Sequence, residues 1–246
     1  KEHRFKRKFL IPADIYSNLP ARADLMNMKR FNGKCASHLC KSEGKGYGPN
    51  NIHRCWPFQQ NLEKRTHEDQ LTYASKATQR KAVMGVKGHS IFAKLLYPFD
   101  LIRSFAIDWM HCLQMSDGNR DKPFYLGAKK ASISRQLLLI KPPDIVRRLP
   151  RSLEDLKHWK ATELKNWLLH YSVAVLRNKL NALYAFHWSL LVGTTGILCS
   201  DSISHEDLRH ADSMLQDSVL LMGILYGPTQ CTMNIHLLQH LAYYVS

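Results

Sequence analysis

Apolar and polar positions repeat with a helical rather than a strand period over most of this 246-residue chain. Thr66 stands before an acidic first turn (Glu68, Asp69), and Leu71, Ala74, Ala77 and Ala82 follow at near-helical spacing, which predicts a capped helix from residue 65 onward. Ser132 to Ile140 predicts a short helix that Pro142 and Pro143 stop. Ser152 and Asp155 have the spacing of a capping box ahead of Leu153, Leu156 and Trp159. Leu164, Trp167, Leu168, Tyr171, Val175 and Leu176 continue the period after Thr162, and Trp167 and Trp188 are expected as core anchors. Ser204, with His205, Glu206 and Asp207 behind it, opens a further helix with the apolar stripe Leu208, Ala211, Leu215, Val219 and Met222, which ends before Gly227 and Pro228. A strand signal stands at the amino end, where residues 5–17 alternate loosely around Pro12 and predict a short strand and a turn. The expected fold class is mainly α.

Charge changes the picture next. The chain carries 35 Lys+Arg against 20 Asp+Glu, a formal charge of +15, which favours a polyanionic partner, DNA or RNA in the usual case. Lys6, Arg7 and Lys8 lie in the densest basic run, and Arg147, Arg148 and Arg151 cluster around Pro150. The second cluster reads either as a phosphate contact or as a solvated loop. Aromatics do not interleave with the basic residues as a single-strand stacking platform would require. Six cysteines, at 35, 40, 55, 112, 199 and 231, are too scattered for a disulfide scaffold and fit a reducing, intracellular compartment. The start is polar and basic, unlike a signal peptide. Ala182 to Cys199 is the most apolar stretch, but His187, Ser189, Gly193, Thr194, Thr195 and Gly196 make it a buried helix rather than a bilayer span. A Gly-rich phosphate loop, a nucleophile elbow and a fixed repeat are all absent from the sequence, and no small-molecule substrate is expected.

Two groups of residues carry candidate chemistry. The glycine-rich segment Asn32 to Phe58 holds Cys35, His38, Cys40, His53 and Cys55, and closely spaced soft ligands in irregular backbone suggest a zinc knuckle. Asp108 and His111, three positions apart, would share one face of a helix. That pair reads as a metal or acid/base site, or as a helix-capping Asp beside a packed His. The chain opens on Lys1 and is expected to be a portion of a longer protein.

A stretch from Gly85 to Cys112 runs Gly-Val-Lys-Gly, then an apolar segment with Tyr97-Pro-Phe-Asp, then Ile107-Asp-Trp-Met-His-Cys. It resembles the middle of the transposases of CACTA (En/Spm-type) DNA transposons in their animal form. Asn18-Leu-Pro-Ala-Arg-Ala, Asn32-Gly-Lys, Trp56-Pro-Phe, Arg65-Thr-His-Glu, Lys122-Pro-Phe-Tyr-Leu-Gly, Pro150-Arg-Ser-Leu, His158-Trp-Lys-Ala, Asp201-Ser-Ile-Ser and Asn234-Ile-His-Leu-Leu-Gln-His-Leu occur in the family's order, so the resemblance spans nearly the whole chain.

The resemblance implies a remnant of a ribonuclease-H-like core in residues 1–31, a Gly/Cys-rich zinc loop in 32–64 and a helical insertion domain in 65–246, with a linker at 116–122. A family helix after Cys112 is shortened here to the turn-forming Ser116-Asp-Gly-Asn-Arg-Asp. It also implies cut-and-paste DNA transposition by acidic residues holding two magnesium ions, whose hard character calls for carboxylate oxygens. The family's second acid falls at Asn18, whose neutral amide would hold such ions poorly; the first lies upstream of Lys1 and the last downstream of Ser246. The chain is therefore expected to be non-catalytic, with magnesium relevant only if an intact core lies elsewhere. Contacts to DNA or to other transposase subunits, a nuclear location and no membrane association follow as expectations. The alternative is a zinc-stabilised protein-interaction module without DNA binding.

For the metal, the family pattern is Cys-x-x-Cys completed by two His from a later helix. Ser37 and Cys40 stand at the Cys pair, Cys35 is the nearest substitute thiolate, and His236 and His240 supply imidazoles one helical turn apart. The expected structural zinc set is Cys35, Cys40, His236 and His240, against a competing reading of ordinary core and surface residues. Leu237 follows His236 where a metalloprotease needs Glu, so the His pair is not that motif.

Overall fold

The computed structural model describes residues 4–6, 18–94, 99–107, 112, 129–144, 146 and 148–245. Asp108, His111, Arg7, Lys8, Arg147 and the 116–122 linker lie outside them.

Elements in order are β1 (Arg4–Lys6), α1 (Leu19–Leu25), β2 (Lys45–Tyr47), β3 (His53–Cys55), α2 (His67–Lys76), α3 (Lys130–Leu138), α4 (Ala161–Asn166), α5 (Ser172–Leu176), α6 (Ala182–Leu198), β4 (Ser202–Ser204), α7 (His205–Tyr226), α8 (Met233–Leu238) and α9 (Leu241–Val245). The protein is mainly helical, as the sequence period predicts. The strands form two small antiparallel pairs: β1 with β4, in the register Phe5 opposite Ile203, and β2 with β3, in the register Gly46 opposite Arg54.

The centre is the antiparallel helix pair α6–α7. On α6, Leu191 and Leu198 are buried, and on α7 the stripe of Leu208, Ala211, Leu215, Val219 and Met222 is buried throughout. Across the pair His187 is fully enclosed, with Nδ1 3.2 Å from the Tyr226 hydroxyl and Nε2 3.0 Å from the Ser218 carbonyl oxygen. These bonds explain why a histidine is tolerated in the most apolar helix. Among the described residues no helix is long and apolar enough to cross a bilayer.

Caps set the helix starts. Thr66 accepts from Asp69 N at 3.1 Å and Asp69 returns a bond to Thr66 N at 3.0 Å. Ser204 and Asp207 repeat the arrangement, with Ser204 Oγ accepting from Asp207 N at 3.0 Å. Because the Ser204 cap follows β4 and starts the longest helix, Ser204→Ala is expected to lower stability by about 1 kcal/mol, read as a shift in a urea unfolding midpoint. Gly227 ends α7 at φ 90° and Pro228 follows it.

The structure departs from the sequence reading in several helical segments: α2 ends at Lys76, so Ala82 lies beyond it. Ser152 does not build a capping box with Asp155: its hydroxyl accepts from Glu154 N at 3.1 Å, and Leu153–His158 winds as a 3₁₀ turn. Between α4 and α5, residues Trp167–Tyr171 form a π turn in which Ser172 N bonds to Trp167 O. There Ser172 Oγ takes the Trp188 indole N–H at 2.7 Å and donates to Leu168 O at 2.9 Å. Trp167 and Trp188 are both buried core members.

One apolar core joins the described segments from α1 to α9. Met26 and Met28 after α1, Leu39, Trp56, Ala74 of α2, Phe105, Ile133 and Leu137 of α3, the α6–α7 seam and Leu237 and Leu238 of α8 belong to the same buried cluster.

Candidate metal centre

The loop 37–42 is fixed from both sides before any metal is considered. Arg65 N bonds to Leu39 O at 2.9 Å and Lys41 N to Glu63 O at 2.8 Å, so Cys40 lies in a short bridge opposite Lys64. Lys41 Nζ reaches Glu63 at 2.7 Å and Asp69 at 3.1 Å, which ties the loop to the first turn of α2. From the other direction, Trp56 N bonds to Cys231 O at 2.6 Å, and Gln239 Nε2 bonds to Gln59 O at 3.3 Å and Gln216 Oε1 at 2.8 Å. These bonds seat α8 against the Cys-rich segment and α7.

Three side chains converge where the two halves meet. Cys40 Sγ stands 3.2 Å from His236 Nε2, and the His236 and His240 rings are 5.3 Å apart at 75°. Available ligand atoms of Cys40, His236 and His240 all lie within 4.8 Å of one another. Cys40 is 0% exposed, His236 1% and His240 3%. His236 and His240 do not share one continuous helix. α8 stops at Leu238, His240 N turns back to Leu237 O at 3.0 Å, and α9 begins at Leu241. The break still leaves the imidazoles as neighbours.

The electrostatics favour ligation. Burial, with His240 nearby, holds His236 down to about 3. Burial and Lys64 hold His240 down to about 4. Both imidazoles are therefore neutral at physiological pH, the form that binds a metal. Burial pushes the Cys40 thiol up, while the Ser37 hydroxyl, the Ser42 backbone and Arg65 pull it back. His236 Nδ1 and His240 Nε2 are buried without a hydrogen-bond partner. His236 turns Nε2 to the Cys40 thiol, and the buried His240 Nε2 is left without a partner, so a metal ion held among the three would take the lone pair of His240 that nothing else takes.

Comparison with known protein families, curated proteins and solved structures found no match.

The fourth predicted ligand, Cys35, is not in the cluster. Its thiol donates to Glu43 Oε1 at 3.6 Å, and Glu43 pairs with Lys34 at 2.8 Å. The side chain beside Cys40 is Ser37, the other member of the Cys-x-x-Cys spacing, whose Oγ lies 3.2 Å from Cys40 Sγ and also accepts from Leu39 N at 3.4 Å. The residues present thus offer one thiolate, two imidazoles and a neutral hydroxyl, which is three of zinc's preferred ligands and one weak donor.

Buried basic groups frame the cluster. Arg65 is 3% exposed and donates to Met84 O at 2.9 Å, with its guanidinium over the Tyr73 ring. Arg22, also 3% exposed, donates to Ala106 O at 2.7 Å and lies 3.4 Å from His38 Nε2. Burial, Arg22 and His240 hold His38 well below the usual histidine range. Sequence reasoning had Arg65 only as part of a motif, and a basic residue beside a solvent-exposed helix start gives no local sign of being enclosed.

The remaining candidates lie outside this ligand cluster. Asn18 is exposed and caps α1, its Oδ1 accepting from Ala21 N at 3.0 Å. Arg151 makes a two-point ion pair with the buried Glu163, Nε to Oε1 at 2.7 Å and Nη2 to Oε2 at 3.3 Å, and adds a bond to His158 O. Arg148 approaches the same carboxylate at 3.7 Å. This cluster is therefore partly neutralised within the fold, by an acid that also bonds to Lys160 N at 2.7 Å to start α4. Lys6 lies in β1.

Proposed function

We propose that this chain is a non-catalytic, transposase-derived helical domain of the CACTA type, in which Cys40, His236 and His240 hold a single metal ion as a structural clasp. The observation that carries the clasp is the meeting of three buried ligand side chains, Cys40 lying 196 residues before His236, with His240 Nε2 left without a partner. Such a site joins the loop after α1 to the C-terminal helices, and among the described residues no carboxylate joins it to act as a general base. Zinc is the ion that the family resemblance implies. The helical insertion of a ribonuclease-H-like fold is the architecture that the same resemblance implies, and the mainly helical structure is compatible with it. Lack of strand cleavage and joining follows from Asn18. Contacts to DNA or to transposase subunits, in the nucleus, follow from the +15 charge and from the family.

Elemental analysis of the purified protein is expected to give one metal ion per chain, lost in His236→Ala; absence of metal in the parent protein contradicts the clasp. Electrophoretic shift of duplex DNA at rising salt checks the partner, with a steep fall in affinity expected for phosphate contacts. A second reading, a protein-interaction module, draws on the pairing of Arg148 and Arg151 with Glu163 and on Leu183, Phe186, Leu220 and Ile224, which are exposed on α6 and α7. No DNA binding even at low salt would favour it. Robust metal-dependent strand transfer by this chain would overturn the non-catalytic assignment.

A further inference from the structure

Resting on the metal clasp proposed above, we infer that its ion is a monovalent soft cation, cuprous copper, in preference to zinc. The argument is one of charge and donor type. An ionised Cys40 with two neutral imidazoles supplies one negative charge. Zinc in that set leaves one uncompensated positive charge in a site whose ligands are 0–3% exposed, whereas a monovalent ion leaves none.

The surroundings sharpen the difference. No carboxylate joins the ligand cluster among the described residues. The groups facing it are basic: Lys64 lies close enough to His240 to disfavour its protonation, and the buried Arg65 sets its positive field on Cys40, with Nε and Nη1 lacking acceptors. A second thiolate would supply the missing negative charge, but the side chain in that place is Ser37, with its neutral oxygen 3.2 Å from Cys40 Sγ. Closed structural zinc sites take four firm ligands. One thiolate and two imidazoles with a weak fourth donor are instead the donor set of trigonal copper sites, and thiolate is the ligand that selects the cuprous ion.

The test titrates the intact protein anaerobically with Cu(I) against a cuprous chelator, and separately with zinc against a zinc-binding dye. Parent protein, Ser37→Cys and His236→Ala are compared, and X-ray absorption at the copper edge reports the bound nitrogens. The expected result is one Cu(I) with nitrogen ligands in the parent, held at a chelator level that strips His236→Ala. Zinc affinity is expected to rise at least about 10-fold on Ser37→Cys, since that variant supplies the missing thiolate. Parent zinc affinity equal to that of Ser37→Cys overturns the inference, as does Cu(I) held equally by His236→Ala, which would place it on ordinary thiols. Retention of neither ion by the parent overturns the metal clasp itself, whereas tight zinc alone overturns only the choice of ion.

Discussion

Acidification from pH 7 to pH 5 is expected to remove about 4 kcal/mol of stability from the metal-free protein, a large share of the roughly 5–15 kcal/mol that holds a typical domain folded. His236 and His240 titrate near 6.5 in the unfolded chain but are held to about 3 and about 4 in the folded one. Above 6.5 neither state binds these protons and stability is whole. Below it the unfolded chain takes up protons that the folded chain refuses, so each histidine costs about 1.4 kcal/mol per pH unit as pH falls toward its folded value. His38 and His187 are also held low by burial and act in the same direction. Neighbouring charges reinforce the refusal: Lys64 acts on His240 and His240 on His236, while Arg22, His240 and Arg65 act on His38. Urea unfolding in chelator across this pH range measures the effect. A flat stability profile would mean that the imidazoles are accessible to protons in the folded state. His240→Gln should remove one proton from the slope.

The second large effect is steric. Gly85 adopts φ +82° and its missing Cβ would stand 1.8 Å from the carbonyl oxygen of Cys35, well inside any permitted contact. Backbone holds that approach in place: Lys29 N bonds to Gly85 O at 2.7 Å, Lys87 N to Asn27 O at 2.9 Å, and Val86, fully buried, bridges both Met28 and Val83. Gly85→Ala must therefore displace main chain on the loop that leads to Cys40, in addition to adopting a left-handed conformation. The expected loss is at least about 3 kcal/mol, seen as a fall in thermal midpoint and in soluble yield. Gly196→Ala is the contrast. Its Cβ would meet nothing within 4 Å in the last turn of α6, and a gain of about 0.5–1 kcal/mol is expected. Equal behaviour of the two variants would contradict the close approach at Gly85.

That glycine also gives physical content to the Gly85-Val-Lys-Gly motif on which the family resemblance leans. The motif is a hook: Gly85 lets the chain pass against Cys35, and Val86 enters the core beside Met28. A transposase relationship and a packing requirement need the same residues here, so the motif by itself speaks to architecture before it speaks to activity.

By itself the sequence determined what local rules control. Thr66 and Ser204 cap helices because a hydroxyl or carboxylate three residues away is all that a capping box needs. The stripe from Leu208 to Met222 faces inward because one helical period places it on one side. Cys40, His236 and His240 were legible as candidate ligands by residue type and by the resemblance. Only the tertiary structure decided which of their neighbours joins them. Cys35 is drawn away to Glu43, and Ser37 takes the place beside Cys40. α8 breaks before His240, and Gln239 at the break bonds to Gln59 and Gln216, partners 180 and 23 residues distant. Arg148 and Arg151, candidate phosphate contacts by sequence, pair in the fold with a carboxylate that starts the next helix. Arg65 becomes a buried cation only because residues 39 and 84 close over it. Capping and periodicity act over three or four positions and leave a mark in the string of residues. Ligand choice, ion pairing and enclosure depend on which distant segments share one core, and only the folded chain fixes that.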